Sequence, residues 1–333
     1  MADTVDFTRP PTSKERLKLQ ARLQRLGRPE HVARIDRVYG AMPGTIPSTG
    51  LVVRSGFSYR ESDIDLDASD RKAPPRNQRP PATRLITSRG ATLRFALTLL
   101  ALVQTKRKPG AKARLGELGF GVAGSSRTLG LADLIVTDAA DSNQGGVYLT
   151  ARNKRARSVR SALAALAEAG LVAIPGEPGA RDRMKDFVLL NECGVEAVGE
   201  KEEYYVPSRG EATFEMPAGF VANGWLHVLE DSEIALLLMV ACQKGGWPEN
   251  GLLVVPADVR LRHYGIHRDA YSSARKVLEW CGLLMVEEVA RHRDGRAENA
   301  ELRVHRLGLI PSGFEALAVP TTIEALARQI TRF

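Results

Sequence analysis

The sequence predicts a mainly α-helical protein with small β-hairpins, an α+β fold built from two similar modules behind an N-terminal extension. Three observations lead to this prediction. Apolar residues recur at helical spacing in several segments. One helix-and-hairpin pattern occurs twice along the chain. The chain has 333 residues, of which 44% are hydrophobic and 26% charged, the size and balance of about two folded domains.

The N-terminal extension, residues 1–89, is predicted to begin with an amphipathic helix and to end as a basic arm. Leucine, isoleucine and valine recur at helical spacing over residues 14–39. Gly27 and Pro29 are expected to break this helix into two pieces. Residues 71–89 mix prolines with arginines, which is typical of a flexible basic arm that contacts DNA, or of a linker that only adds charge.

The clearest pattern in the sequence is an internal repeat. Residues 161–174 align without a gap on residues 273–286, and the two copies share a serine, an alanine, a leucine and a Gly-Leu pair. An apolar stripe in each copy predicts a helix. Gly170 and Gly282 stand where the end of a helix favours a positive φ. After each glycine come a β-rich run, a polar turn and a second β-rich run.

The second copy shows the full order of elements. Residues 234–242 predict a helix, residues 252–255 a strand and residues 256–263 a further helix. Gly265 is expected to form the turn before the repeated helix, which runs from about residue 267. Helix, strand, two helices and a basic hairpin follow the order of a winged helix, and the chain here resembles the winged helix-turn-helix family.

The first copy matches this order less completely. Residues 91–106 supply its first helix, and an insertion at residues 116–146 obscures the middle helix. The resemblance therefore implies five divisions of the chain: an N-terminal helix and basic arm at 1–89, a winged-helix domain at 90–190, an acidic linker at 191–211, a second winged-helix domain at 212–308 and a C-terminal helix at 309–333.

The distribution of charge favours a polyanionic partner for the first two divisions. The net charge is +8, and residues 1–89 and 90–190 each carry seven more Lys and Arg than Asp and Glu. Residues 212–308 are slightly acidic. Clustered basic side chains bind DNA because each phosphate contact releases condensed counterions. Charge alone is equally typical of a surface that only aids solubility.

The repeated helix of the first copy is the strongest candidate for contact with DNA. Placing its residues about 100° apart puts Val159, Ala162 and Leu166 inward and Arg157 and Arg160 outward. No carboxylate occurs between Arg152 and Glu168, although a solvated helix face normally carries acidic partners. The residues expected to contact DNA in this helix are Arg152, Lys154, Arg155, Arg157, Arg160 and Ser161.

The second repeated helix presents a weaker face, because Asp269 and Glu279 dilute its positive charge. It is expected to contact DNA or to serve mainly for assembly. Its candidate contacts are Arg268, Ser272, Ser273, Arg275 and Lys276. The resemblance adds the basic turns where the family carries its wing, with Arg181, Arg183 and Lys185 in the first copy and Arg291, Arg293 and Arg296 in the second.

Other chemistry finds little support in the sequence. Residues 119–124 fit GxGxxG by letter, but they lack the preceding apolar strand of a dinucleotide site. His263 and His267 are separated by a glycine that is expected to break the helix a zinc site needs. We expect no catalytic residues, no cofactor and no metal. Three isolated cysteines, and the lack of a signal peptide or a long apolar run, predict a cytoplasmic, nucleoid-associated location.

The function expected from these features is binding of double-stranded DNA by a non-enzymatic protein. The resemblance implies a transcriptional regulator, as in single winged helices of bacteria, or a replication initiator, as in the tandem winged helices of plasmids. The alternative is an assembly protein whose winged helices dock partner proteins. A homodimer would use the apolar faces of residues 14–39 and 323–330, unless those faces pack inside the chain.

Overall fold

The structure is a computed structural model, and it confirms the predicted α+β class. Helices dominate, and every pair of named strands is antiparallel. The structure describes residues 3–4, 11–40, 50–62, 73–86, 91–115, 121–123, 130–137, 139–144, 147–177, 183–194, 198–292 and 301–331. One hydrophobic core joins residues from all of the predicted divisions.

The N-terminal extension contains two helices where the sequence predicts them. The chain breaks between Leu26 and Pro29, as expected from the glycine and the proline there. Thr12 and Glu15 form a capping box at the start of the first helix, which explains why it begins where it does. The elements of this extension are β1 (Asp3–Thr4), α1 (Ser13–Leu26), α2 (Pro29–Gly40), β2 (Leu51–Arg54), α3 (Ser55–Ser58) and α4 (Pro81–Arg84).

Residues 73–86 differ from the flexible arm that the sequence predicts. Pro81 and Leu85 are buried, and the hydroxyl of Thr83 donates a hydrogen bond of 2.9 Å to the carbonyl oxygen of Tyr264. The guanidinium groups of Arg79 and Arg84 donate to backbone carbonyl oxygens within the same segment. These arginines therefore stabilise turns of a packed segment. The rest of the predicted arm, residues 71–72 and 87–89, lies outside the described residues.

The first module follows with a long apolar helix and the long basic helix of the repeat. Gly170 has a φ of 73° directly after the basic helix, and a short antiparallel hairpin follows, as predicted. Of the insertion at residues 116–146, the structure describes residues 121–123, 130–137 and 139–144. The elements are α5 (Thr92–Lys106), α6 (Leu131–Leu134), β3 (Ser142–Gln144), β4 (Val147–Leu149), α7 (Ala151–Glu168), β5 (Val172–Ala173) and β6 (Val188–Leu189).

The described residues of the predicted acidic linker, 191–194 and 198–211, are part of the packed fold. Tyr204 is fully buried and receives a backbone hydrogen bond from Ala113 while donating one to Leu189. Glu192 is buried and its carboxylate accepts a hydrogen bond of 2.7 Å from Arg54. Glu211 accepts another from the same guanidinium. The acidic residues are therefore partners of a buried arginine, and the segment does not span open solvent between the modules.

After a strand and two short helices, the second module follows the predicted order of a helix, a strand, two helices and two strands, with one additional strand, Trp247–Glu249, before the predicted first strand. Gly265 has a φ of 68° between its last two helices, and Gly282 has a φ of 72° before the final hairpin. The elements are β7 (Thr213–Met216), α8 (Ala218–Ala222), α9 (Trp225–Val228), α10 (Asp231–Cys242), β8 (Trp247–Glu249), β9 (Leu252–Val254), α11 (Ala257–Arg262), α12 (Arg268–Trp280), β10 (Leu284–His292) and β11 (Glu301–Leu309).

The sheet of the second module has five strands in the order β1-β10-β11-β9-β8. Val286 pairs with Leu307, and Leu307 in turn pairs with Leu253, so that buried residues of three strands lie side by side. β2 pairs instead with β7, and this second sheet joins the N-terminal extension to the second module. The sheets therefore connect parts of the chain that are far apart in sequence.

The C-terminal helix α13 (Ala318–Thr331) packs against α1. Leu26 of α1 and Leu326 of α13 are fully buried. These are the two apolar faces that the sequence offered for a homodimer. Both faces pack inside the chain.

Two buried ion pairs hold the extension to the rest of the chain. Arg22 of α1 donates to the carboxylate of Glu233 in α10 at 2.6 Å, and both side chains are buried. Arg54 pairs with Glu192 and stacks over the ring of Tyr205, 4.3 Å from its centroid. Removing one partner of such a pair is costly because it leaves a charge buried without compensation.

Replacement of Gly265 by alanine is expected to destabilise the chain by about 2 to 3 kcal/mol. The positive φ costs about 1 to 2 kcal/mol for a residue with a Cβ atom. That atom would also lie 2.6 Å from the Thr83 hydroxyl, displacing its hydrogen bond at a cost of about 1 kcal/mol. Denaturant unfolding measures the loss. Gly251→Ala is the control, since Gly251 also has a positive φ but faces open space, and an equal loss in both variants would contradict the prediction.

Stability is expected to fall in mild acid because of His227, which is 2% exposed. Burial, with the nearby Arg94 charge, lowers the pKa of His227 to about 3 from an ordinary 6.5. Below pH 6.5 the unfolded chain therefore binds a proton at His227 that the folded chain does not bind. The free energy of unfolding falls by about 1.4 kcal/mol for each pH unit between pH 6.5 and pH 3. Urea unfolding across this range should show a weaker slope in His227→Gln, whereas the exposed control His267→Gln should keep it.

Candidate nucleic-acid interface

The α7 helix is the central element of the candidate interface. Its N-cap is Thr150, whose hydroxyl oxygen accepts a hydrogen bond of 3.1 Å from the backbone N–H of Asn153. The carboxylate of Asp141 accepts another from the N–H of Ala151. Alanine, leucine and arginine, which are good helix formers, fill most of the helix. Both capping groups orient the helix relative to the β3–β4 hairpin before it.

The inward face of α7 is the one that the sequence predicts. Val159, Ala162, Leu163 and Leu166 are all at most 2% exposed. They pack into the core on the side of α5. Because a helix repeats every 3.6 residues, this burial determines which residues point the other way.

The outward face of α7 carries two arginines that are open to solvent. Arg157, Arg160 and Ser161 are exposed, as is Ala164 one turn further on. Within the described part of the chain, neither guanidinium group forms an ion pair or a hydrogen bond. Small side chains flank the two arginines, so the two guanidinium groups extend beyond the neighbouring side chains into solvent. This face can approach a polyanion without first breaking contacts inside the chain.

Arg155 departs from its predicted role as a contact to the DNA backbone. It is 7% exposed, and burial lowers the pKa of its guanidinium group. The physical reason is its position four residues before Val159, which places it on the same, inward face of the helix. Arg155 therefore cannot reach a duplex that lies on the outward face.

Arg152 and Lys154 contact the loops beside the start of α7. The Nε of Arg152 donates to the carbonyl oxygen of Ala123 at 2.9 Å. The Nζ of Lys154 donates to the carbonyl oxygen of Ala140 at 2.6 Å. Carbonyl partners leave the net positive charge of both side chains intact. These residues add charge to the surface while also positioning the loops.

The hairpin after α7 carries its basic residues at the edge of the described chain. Lys185 is exposed and Arg183 is half-buried, whereas Arg181 lies outside the described residues. The strands β5 and β6 are only two residues long each, shorter than the predicted runs. The structure therefore brings Lys185 to the surface and leaves Arg183 partly enclosed.

Basic residues of the α12 helix have partners inside the chain that the sequence does not predict. Arg268 and Ser273 are exposed and Ser272 is half-buried. The Nζ of Lys276 lies 3.2 Å from the carboxylate of Glu15 in α1. Arg275 contacts the His305 ring on β11. Both cations are therefore occupied by partners from distant parts of the chain.

The hairpin of the second module contains the remaining predicted contacts. Arg291 lies in β10, opposite Leu302, and nothing is described of its side chain. Arg293 and Arg296 lie outside the described residues.

The structure adds two arginines that the sequence did not place beside α7. Arg76 and Arg84 line a depression with Ala165 and Glu168 at the C-terminal end of this helix. Arg76 is exposed, and its Nε donates to the carbonyl oxygen of Arg84 at 2.8 Å. The mixture of prolines and arginines indicated basic charge in this segment. Its position depends on long-range packing, which no local pattern reveals.

The described residues offer no metal site. The His263 Nδ1 donates to the carbonyl oxygen of Arg60 at 2.7 Å, and its ring stacks on Tyr59. His267 instead caps α12. No group of three or more His, Cys, Asp or Glu side chains among the described residues is arranged to hold a metal ion. Of the GxGxxG segment, residues 119, 120 and 124 lie outside them. No helix in this part of the chain is both long and apolar enough to cross a membrane.

Comparison with known proteins adds no relative. No family model, curated protein or solved structure matches the chain. The function must therefore be inferred from the described residues themselves, and above all from the outward face of α7.

Proposed function

We propose that this protein binds double-stranded DNA through the outward face of α7. The observation that carries the proposal is the exposure of Arg157, Arg160 and Ser161 on α7, where neither guanidinium group has a carboxylate partner among the described residues. A helix of this width fits the major groove, where arginine reads guanine and serine contacts either base or phosphate. Arg76 and Lys185 lie on segments that flank the helix and would add contacts to the phosphate backbone.

The architecture of both modules supports a winged-helix interpretation of this proposal. In the second module, β9 lies beside β11, and β11 beside β10, after the helices α10, α11 and α12. This arrangement places a helix next to a long hairpin, which is how a winged helix approaches DNA. The first module has the same helix and a shorter hairpin after Gly170.

The two modules would contribute unequally to DNA binding. Lys276 and Arg275 of α12 are held by Glu15 and His305, so their charges are less available than those of α7. We therefore assign most of the affinity to the first module and a supporting contact to Arg268 and Ser273. Two modules on one chain increase avidity where both can reach the duplex.

A role in transcriptional regulation or in plasmid-type replication initiation is the form of DNA binding that we propose. Both roles require specific recognition of a short site. They differ in the location of that site, beside a promoter or beside an origin rich in A·T pairs. A footprint on the DNA that flanks the gene of this protein distinguishes the two roles.

Salt-dependent binding to duplex DNA tests the proposal directly. Fluorescence anisotropy of a labelled random duplex should report binding at low salt, and the logarithm of the association constant should fall linearly with the logarithm of the salt concentration. The slope of this line gives the number of phosphates contacted, because each neutralised phosphate contributes about −0.9 to the slope. Failure to bind at low salt would overturn the proposal.

Docking of partner proteins is the second candidate function, favoured by an exposed apolar area on the sheet of the second module. Trp247 and Met285 are each 43% exposed. Met285 pairs with Gly308, and the side chain of Leu252 packs against Gly308, so these apolar residues share one face. An assembly protein would bind DNA weakly and without the loss expected for the α7 arginines.

A further inference from the structure

A cavity lies behind α7, on the side opposite its exposed arginines. It has a volume of about 590 Å³ and lies between the start of α2, residues 137 and 139–141, and the first turns of α7. The residues that matter for its chemistry are Arg28, Glu30, Arg34, Thr137, Asp141 and Arg155. A cavity of this size accommodates a small organic molecule.

Two arginines that line this cavity carry buried hydrogen-bonding groups without a partner. Arg155 is 7% exposed, and its Nε has no hydrogen-bond partner. The Nη1 of Arg34 and the hydroxyl of Thr137 are also buried without a partner. Buried polar groups are nearly always hydrogen-bonded in folded proteins. Three orphaned groups at one cavity therefore indicate that a ligand supplies their partners.

The charge around the cavity favours an anion. Arg34, Arg37 and Arg155 surround one buried carboxylate, that of Asp133, which already accepts a hydrogen bond from the N–H of Gly130. Burial and the neighbouring Arg155 lower the pKa of Arg34 to about 10. The cluster therefore has more positive than negative charge, and the arginines repel each other in the absence of an anion.

The two carboxylates that line the cavity, Glu30 and Asp141, offset only part of the charge of its three arginines, Arg28, Arg34 and Arg155. Asp141 accepts hydrogen bonds from the N–H of Ala151 and from the hydroxyl of Tyr148. Glu30 is exposed in the first turn of α2. Among the described residues, no salt bridge joins either carboxylate to Arg34 or Arg155.

We propose that this cavity binds a phosphate-bearing small molecule, held by the guanidinium groups of Arg34 and Arg155 and by the hydroxyl of Thr137. Arginine binds phosphate oxygens with two parallel hydrogen bonds, which suits the planar donors that lack partners here. The volume exceeds that of a phosphate ion, so the remainder of the ligand occupies the space toward Arg28. This binding site is separate from the DNA-facing surface.

A phosphate of the DNA backbone is the other possible source of the same chemistry. The position of the cavity argues against it. Arg155 shares the inward face of α7 with Val159, whereas Arg157 and Arg160 point the opposite way. A duplex on the outward face would be separated from the cavity by the helix itself. The ligand is therefore a free molecule that enters between α2 and α7.

Thermal unfolding with inorganic phosphate, and without DNA, tests the proposal. Phosphate should raise the melting temperature of the wild-type chain by about 2 to 4 °C over chloride at equal ionic strength. Arg34→Gln with Arg155→Gln should abolish this rise. Arg157→Gln with Arg160→Gln removes the same charge from the outward face and should keep it. Because phosphate also stabilises proteins by exclusion from their surfaces, the difference between the two double variants is decisive.

The Arg34→Gln, Arg155→Gln variant is expected to fold, because the substitutions remove the repulsion among the arginines while Arg37 remains 4.0 Å from the buried Asp133 carboxylate. Its melting temperature in chloride should equal or exceed that of the wild type, and equilibrium dialysis should show one bound phosphate per wild-type chain and none in the variant. An equal phosphate response in both double variants would overturn the site. A weaker affinity of the variant for duplex DNA, with a smaller salt slope, would also overturn it, because the phosphate would then belong to DNA. Absence of phosphate binding would leave the DNA-binding proposal untouched.

Discussion

Replacement of Arg157 and Arg160 together by alanine is expected to weaken binding to a specific DNA site by about 2 to 6 kcal/mol, a loss of roughly 30-fold or more. Each arginine at a base-reading position contributes about 1 to 3 kcal/mol, and its removal also relaxes specificity. Both side chains are exposed, so the fold should be unaffected. Anisotropy titrations at fixed salt, with a specific and a random duplex, measure the loss.

The matched control for this prediction is Arg209→Ala with Arg328→Ala. These arginines are also exposed, and they lie outside the repeated helices and their hairpins. The control removes the same formal charge, so it should change the affinity only slightly. A similar loss in both double variants would mean that overall charge, and not the face of α7, determines binding. If the Arg157→Ala, Arg160→Ala variant binds DNA as tightly as the wild type, the docking function is favoured.

Replacement of Arg54 by methionine is expected to destabilise the chain by about 3 to 5 kcal/mol. Arg54 is 6% exposed, and its guanidinium group bonds to Glu192, Glu211 and the carbonyl oxygen of Tyr205. The substitution leaves Glu192, which is 2% exposed, without its compensating charge. Denaturant unfolding measures the loss. The surface pair Lys112–Glu203 provides the control, because Lys112→Met should cost at most about 1 kcal/mol.

The pH dependence of the Arg54→Met variant distinguishes loss of the ion pair from loss of packing. Burial raises the pKa of Glu192 from its usual 4.5, and the positive charge of Arg54 opposes this rise. Without Arg54 the pKa should rise further, so the folded chain would take up a proton that the unfolded chain releases. Stability is then greatest at low pH and falls as the pH rises through the folded pKa. The deficit relative to wild type should be smaller near pH 5 than near pH 8, and a deficit independent of pH would contradict the charge explanation.

Local features of this chain could be predicted from the sequence, because they depend on neighbouring residues. The break between α1 and α2, the positive φ of Gly170, Gly265 and Gly282, and the inward face of α7 all follow from periodicity and backbone sterics. The same periodicity places Arg155 inward, four residues before Val159. Its positive charge predicts contact with DNA, but its position on the helix keeps it buried, so that prediction is wrong.

Features that depend on distant partners could not be predicted. The partner of Lys276 is Glu15, more than two hundred residues earlier, and Arg54 finds its carboxylates in a segment that reads as an acidic linker. Prolines and arginines at residues 73–86 have the composition of a flexible arm, but burial of Pro81 and Leu85 keeps this segment folded. Composition indicates what a segment can do alone, whereas packing is determined by segments elsewhere in the chain.

The pairing of β2 with β7 bears on how the chain reaches its native state during synthesis. Leu51 pairs with Met216, so the whole first module lies between two strands that meet only after both have been made. Emergence of residues 90–190 from the ribosome is therefore not enough to complete that module, since the edge of β2 stays open until residue 216 has followed. Closing so long a loop carries an entropic cost that slows folding. A fragment ending after the first hairpin would expose an unpaired strand, and such an edge invites aggregation.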